Sequence, residues 1–177
     1  MELLIVIAII GVLASIVLVV MNQARGDAKY AKAQQDLRTL RTAMELLLDD
    51  TGKWPNGCIP DQTDNPEVLL DNSAAGLVEA PPVGSVGVGC QWTAQEVASW
   101  DGPYVRESKL IDPWGNPYQF DPDYHCEIAR SVGGIPSLGC DGVDDIVAAL
   151  NSHGPNGVQQ DGSSDYDSDN VVHILSR

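Results

Sequence analysis

Basic residues are scarce in this chain: 10 lysines and arginines stand against 25 aspartates and glutamates over 177 residues, a formal net charge of −15. Such a surface repels phosphates, which argues against a nucleic-acid partner. Histidine is scarcer still. His125, His153 and His173 lie scattered, in no Ser–His–acid order and on no metal-ligating helix, so no enzyme is expected. The cysteines Cys58, Cys90, Cys126 and Cys140 include no C-x-x-C pair, which disfavours zinc and favours disulfides in an exported domain. Of the three possible connectivities, Cys58–Cys90 with Cys126–Cys140 closes local loops and is the pairing expected. No proline precedes Pro55, and no charge interrupts Leu3 to Met21. Acidic disorder is excluded in turn, because a chain that is 44% hydrophobic can bury a core, and the length suits one domain.

The missing positive charge is not evenly missing. Residues 1–53 carry six basic side chains (Arg25, Lys29, Lys32, Arg38, Arg41, Lys53) and six acidic ones (Glu2, Asp27, Asp36, Glu45, Asp49, Asp50), so the whole −15 sits in residues 54–177. Two physically different parts follow: a helical segment, 1–53, whose residues 1–21 suit a membrane or a fibre core, and an acidic head, 54–177.

The uncharged run from Leu3 to Met21 spans about 28 Å as a helix at ~1.5 Å per residue, enough for the hydrocarbon core of a bilayer. It is apolar all round, so lipid or further copies of itself must surround it. A cleaved signal peptide would need a basic lead-in, a shorter apolar stretch and a small-x-small cleavage site, and the run shows none of these. A plain single-span anchor meets a conflict of orientation. Arg25, Lys29 and Lys32 just after the span would hold the head in the cytoplasm, whereas four cysteines and an aspartate-rich domain suit the other side.

After Met21 the run becomes amphipathic. Ala33, Leu37, Leu40, Met44 and Leu47 recur at three- and four-residue steps, predicting one buried helix face. Lys32 with Asp36, and Arg41 with Glu45, are four apart and are expected to pair on the exposed surface for ~0.2–0.5 kcal/mol each. One helix to about Asp50, ending at Thr51-Gly52 with Pro55 beyond, is the simplest reading.

Residues 2–16, Glu-Leu-Leu-Ile-Val-Ile-Ala-Ile-Ile-Gly-Val-Leu-Ala-Ser-Ile, resemble the N-terminus of type IV pilins and of the pseudopilins of type II secretion. The resemblance implies an α+β pilin fold, a long N-terminal helix packed on a small antiparallel sheet and assembled into a helical filament. It also implies a short basic leader ending in Gly ahead of Phe-Thr-Leu-x-Glu, removed by a prepilin peptidase that methylates the new amino terminus. With Glu2 as the matching glutamate, that leader and Phe-Thr-Leu are expected upstream of Met1. Glu2 would pair with the α-amino group of a neighbouring subunit and set the axial stagger, since a carboxylate in a fibre core is costly unless a cation meets it. As an ordinary interfacial residue, Glu2 would instead only favour the helix dipole. Gly11 is retained, while the proline that many members carry near position 19 is replaced by Val19. Asp49-Asp-Thr-Gly-Lys-Trp-Pro55 also resembles the family's helix end, and Trp54 is expected to pack at the helix–sheet junction.

In the head, residues 56–110 read as loops with short helices at Pro66–Leu70 and Thr93–Trp100. Val83–Gly89 does not follow G-x-G-x-x-G and reads as a flexible loop. Asp101-Gly-Pro-Tyr104 and Asp112-Pro-Trp-Gly-Asn-Pro-Tyr-Gln-Phe120 form a turn feeding an aromatic strand, and resemble the signature of the major pseudopilin and related pilins. Trp114, Tyr118 and Phe120 are its expected anchors. Asp145–Ser152 and Asn170–Leu175 read as strands, and Gly154–Gly157 as a turn.

Asp161-Gly-Ser-Ser-Asp-Tyr-Asp-Ser-Asp169 is either a solvated acidic loop or a set of hard oxygen ligands for calcium. In the major pseudopilins a Ser-x-Gly-Pro-Asp-Gly turn and an Asp-Asp pair before the last strand clasp one calcium ion. Ser152-His-Gly-Pro-Asn-Gly157 and Asp169-Asn170 occupy those places, each with Asn for one Asp, and Asp165 or Asp167 would compensate the lost charge. The implied ligand set is Asn156, Asp165, Asp167, Asp169 and Asn170; Asp141, Asp144 and Asp145 form a weaker second cluster. The function expected is a subunit of a type IV pilus at the cell surface, single-pass in the membrane before assembly. The major pseudopilin of a type II secretion system is the alternative, and a monomeric anchored calcium-binding domain a more remote one. The partners implied are its own copies, the bilayer, the inner-membrane assembly machinery and the prepilin peptidase.

Overall fold

A computed structural model of the chain describes residues 2–60, 62, 66–87, 89–125, 146–157 and 170–176. One helix, α1 (Glu2–Thr51), runs without a break for 50 residues, about 75 Å at ~1.5 Å per residue. No proline interrupts it, and it stops where the sequence removes the means to continue. The Thr51 hydroxyl turns back to the Leu47 carbonyl, and Gly52 takes φ +73° and donates to the Leu48 carbonyl at 2.7 Å. That closes the last turn in the left-handed conformation glycine adopts without cost.

Among the described residues the head holds six strands and a short helix: β1 (Val68–Leu69), β2 (Gly84–Gly87), β3 (Cys90–Trp92), α2 (Ala94–Ser99), β4 (Gln119–His125), β5 (Ile146–Ser152) and β6 (Val171–Ser176). The main sheet is antiparallel in the order β1-β4-β5-β6, and β2 and β3 pair as a separate ribbon. The α+β pilin-like architecture expected from the sequence is therefore what forms. Helix α2 starts at a reciprocal cap, Thr93 Oγ1 accepting from Glu96 N while Glu96 accepts from Thr93 N, the S/T-x-x-E device that satisfies two orphan amides. Proline cannot donate to a ladder, and at Pro122 the β4–β5 register slips between Asp121 and Tyr124.

Ala33, Leu37, Leu40, Met44 and Leu47 are all buried, as their spacing predicts, and pack with Trp54, Trp92, Tyr118, Phe120, Leu150 and Leu175 into the main core. Trp54 lies 5.7 Å from Phe120, ring centre to ring centre, at the helix–sheet junction. Burying each leucine is worth about 1.5–3 kcal/mol, so the stripe alone fixes which face of α1 meets the sheet.

Three expectations need correction. Residues 66–70 form no helix; Val68 and Leu69 pair with Phe120 and Gln119 instead, because Val68 buries on the core side of the sheet. Residues 84–87 form β2 rather than a loose loop, since their backbone pairs with β3, where Cys90 and Trp92 are buried. Asp36 is not on the exposed surface: its side chain is 1% exposed, beneath Lys32 and a lysine from the head.

Candidate assembly surface and metal sites

The two halves of α1 differ in what touches them. Among the described side chains between Leu3 and Met21 the large aliphatics are exposed, Leu3 at 76% and Leu18 at 65%, and the helix is long and apolar enough to cross a membrane. Gly11 lies in this stretch with nothing within 4 Å of where a Cβ would stand, leaving a notch where another helix backbone can approach. Glu2 begins α1, at the outer end of the exposed apolar surface.

The second half is fastened at both ends. Asp36 receives Lys32 Nζ at 2.5 Å and Lys109 Nζ at 2.6 Å, and the Tyr118 hydroxyl stands 3.5 Å away. Burial pushes the Asp36 carboxyl up, but the hydrogen bonds and charges of Lys109 and Lys32 outweigh it and hold it below its ordinary 3.8. Burial, with Asp36 and Asp112 beside it, raises the Tyr118 phenol so that it stays protonated. Nearly two turns before Asp36, Tyr30 meets Trp114 edge-on at 4.9 Å and Lys29 lies over the same indole at 5.9 Å. Near the other end the Tyr104 hydroxyl donates to Asp50 at 2.6 Å, and burial, with Asp50, pushes its pKa up to about 12. Only the Arg41–Glu45 pair, 2.8 Å apart, matches the expected exposed pairing.

The Asp112–Asn116 turn braces a second turn. Asp112 Oδ1 accepts from the backbone amides of Trp114 and Asn116 at 2.9 and 2.8 Å; Asp112 Oδ2 accepts from Ser152 Oγ at 2.6 Å and from Asn116 Nδ2 at 3.3 Å. Asn116 Nδ2 also donates to the Gly154 carbonyl at 2.9 Å, and Gly154 N donates to Ser152 Oγ at 3.2 Å. The aspartate and asparagine of the Asp-Pro-Trp-Gly-Asn motif thus hold residues 152–154 in place. Gly157 takes φ +66°, and a Cβ there would stand 2.8 Å from Asn116 Oδ1. Gly157→Ala is expected to cost about 1–2 kcal/mol from the unfavourable φ alone, checked by chemical denaturation.

Of the sequence-predicted calcium ligands, Asn156 lies exposed in the Gly154–Gly157 turn and Asn170 directly precedes β6. Both polar atoms of the Asn170 carboxamide are buried without a hydrogen-bond partner. A buried amide in that state costs about 1–3 kcal/mol, and a cation on its oxygen would remove part of that cost, so this residue fits the ion the resemblance implies. Asp165, Asp167 and Asp169, the cluster Asp141, Asp144 and Asp145, and Cys126 and Cys140 lie outside the described residues. Cys58 and Cys90 do form a disulfide across 32 residues, with Cα atoms 4.7 Å apart.

Sequence reasoning missed one acidic group. Glu67, Asp121 and Asp123 come together on the main sheet, with one carboxylate oxygen of each within 4.8 Å of the others. The Asp-Pro-Asp run at 121–123 is its trace in the sequence; Glu67 joins only through the β1–β4 pairing.

A family model described as type II secretion system (T2SS), protein G matches residues 86–149. The type II secretion system core protein G of Aeromonas hydrophila is 28% identical over 120 residues, which is 67% of this chain and 67% of that protein. No solved structure matches the chain.

Proposed function

We propose that the chain belongs to the type IV pilin and type II secretion pseudopilin family, as the family match and the 28% identity support, and that it is the major pseudopilin of a type II secretion system, the repeated subunit of its filament. The family match over residues 86–149, which contains the Asp112–Phe120 signature, carries the choice of secretion over a surface pilus. The role is structural, and no catalytic step is assigned to it.

The geometry gives that role a physical basis. A helix apolar all round in sequence over Leu3–Met21, with its described aliphatic side chains exposed, is stable in lipid before assembly and against other copies afterwards, and the exchange of one apolar surrounding for the other costs little. Assembly machinery, which by resemblance is driven by a cytoplasmic ATPase, would pull on a helix fastened to its head at Asp36 and Asp50, so force on one moves the other. Glu2 pairs with the α-amino group of a neighbour and sets the stagger. Calcium, held by Asn156, Asn170 and the aspartates 165, 167 and 169, would stiffen the turn that Asp112 and Asn116 brace.

The test is complementation of a secretion-competent cell lacking its major pseudopilin, using this chain behind a basic leader. Restored secretion is expected, with Glu2→Ala still inserted in the membrane but secreting nothing. Assembly and secretion unchanged by Glu2→Ala would instead point to a monomeric anchored domain. Long surface fibres without secretion would favour the pilus.

A further inference from the structure

The sheet has a second face, turned away from α1, whose polar side chains take no part in fastening the helix to the head. Phe120 pairs with Leu150 and points into the helix-side core, so its neighbours Gln119 and Asp121 project from the opposite face. Asn151 stands directly opposite Gln119 and therefore projects from that same face, one diagonal step from Asp121. The β1–β4 register, Val68 with Phe120, brings Glu67 alongside Asp121. Gln119 donates to Glu67 and also meets His153 Nε2 at 2.7 Å, so its own amide is engaged.

Two independent features of this patch are costly as they stand. The first is the gathering of Glu67, Asp121 and Asp123 within 4.8 Å, with Asp121 only 1% exposed. Burial and then the negative charges of Glu67 and Asp123 push the Asp121 carboxyl well above the usual carboxylate range; among the described residues the compensating contact is the Asp123 amide at 3.1 Å. The second is Asn151, which is fully buried with neither its carbonyl oxygen nor its amide nitrogen hydrogen-bonded. A buried carboxamide with no partner is rare, and here it shares a sheet face with three crowded carboxylates.

One occupant relieves both. We propose that Glu67, Asp121 and Asp123, with the carbonyl oxygen of Asn151, form a binding site for a hard divalent cation, calcium, separate from the turn at residues 152–170. The donor set is all oxygen, which suits calcium and not zinc. Diagonal neighbours on a sheet stand roughly 7–8 Å apart at Cα, a span that two short side chains bridge through an ion at about 2.3–2.6 Å from each oxygen. A divalent ion would offset most of the negative charge the three carboxylates bring together, and Glu67, the exposed member, gives it a route in from solvent. Magnesium is disfavoured because it keeps several waters and needs a strict octahedron, which a mostly buried site denies it.

The full chain in detergent micelles, stripped with chelator, is titrated calorimetrically with calcium chloride alone and then melted. The Glu67→Gln, Asp123→Asn double variant is expected to lose one calcium-binding event, weakened on the order of tenfold or more, whereas Asp165→Asn retains it. In chelator the double variant melts above the parent, because like-charge repulsion is gone; in calcium the order reverses. The single variant Asp123→Asn carries the same test if the double variant fails to fold, as judged by far-ultraviolet circular dichroism. Calcium binding in the variant with the parent's affinity and stoichiometry overturns the site, and so does a parent that takes up no calcium.

Discussion

Replacing both Lys32 and Lys109 with methionine is expected to lower stability by about 3–5 kcal/mol, the usual cost of leaving a buried charge uncompensated. The two ammonium groups are each about half exposed, but Asp36 is not, so the penalty falls on the carboxylate. The pH dependence should also change sign. In the parent, Asp36 titrates below its ordinary value, so its contribution is present above the unfolded value near ~4 and is lost as the pH falls through the depressed folded value. In the double variant only burial and the Tyr118 contact act on it, and burial raises the folded value. The unfolded chain then releases its proton first, and stability falls as the pH rises above ~4. Urea denaturation on either side of that pH measures both slopes; parallel slopes in parent and variant would mean that the lysines do not hold the carboxylate. In a filament the same variant would loosen the head from its helix near the first turn of the buried stripe.

Asp112→Ala is expected to be nearly as severe. The carboxylate accepts four hydrogen bonds and is 5% exposed, so its removal orphans the Trp114 and Asn116 amides together with Ser152 Oγ. A loss of about 3 kcal/mol corresponds to a fall in Tm of roughly 6–12 °C for a chain of this size. Ser152→Ala removes one of those bonds and should cost ~1 kcal/mol. Affinity at the proposed calcium site should fall in Asp112→Ala as well, because residues 152–154 lose the brace that positions the turn carrying Asn156. Thermal melts with and without calcium separate the two effects. A variant that melts within ~1 °C of the parent would show that the turn at 152–157 supports itself.

How much of this is legible in the sequence depends on the range of the interaction. The helix, its buried stripe and its end at Gly52 depend on periodicity, absent proline and one flexible residue, all local properties, and each appears where expected. The Cys58–Cys90 bridge is readable because it closes a local loop. The same holds for α2, whose Thr93 and Glu96 cap each other. The strands at 68–69 and 84–87 escape sequence reasoning because two to four residues carry too little pattern, and pairing with β4 and β3 decides their state. Asp36 is misplaced for a related reason. On an isolated helix it is one half of an i,i+4 surface pair, and only the arrival of Lys109 and Tyr118 from far along the chain makes it a buried anchor.

Local pattern in the chain suffices to divide the molecule into a long apolar helix and an acidic head, to choose the face of the helix that is buried, and to supply the motifs that resemble those of pilins and pseudopilins. What those motifs touch is settled by tertiary contacts: Asp112 and Asn116 brace the turn at 152–154, Asn151 and Asn170 are buried without partners, and Glu67 joins Asp121 and Asp123. The reason is physical. Hydropathy and turn chemistry act between residues a few positions apart, whereas burial of a polar group and the crowding of like charges arise only after strands distant in sequence have paired.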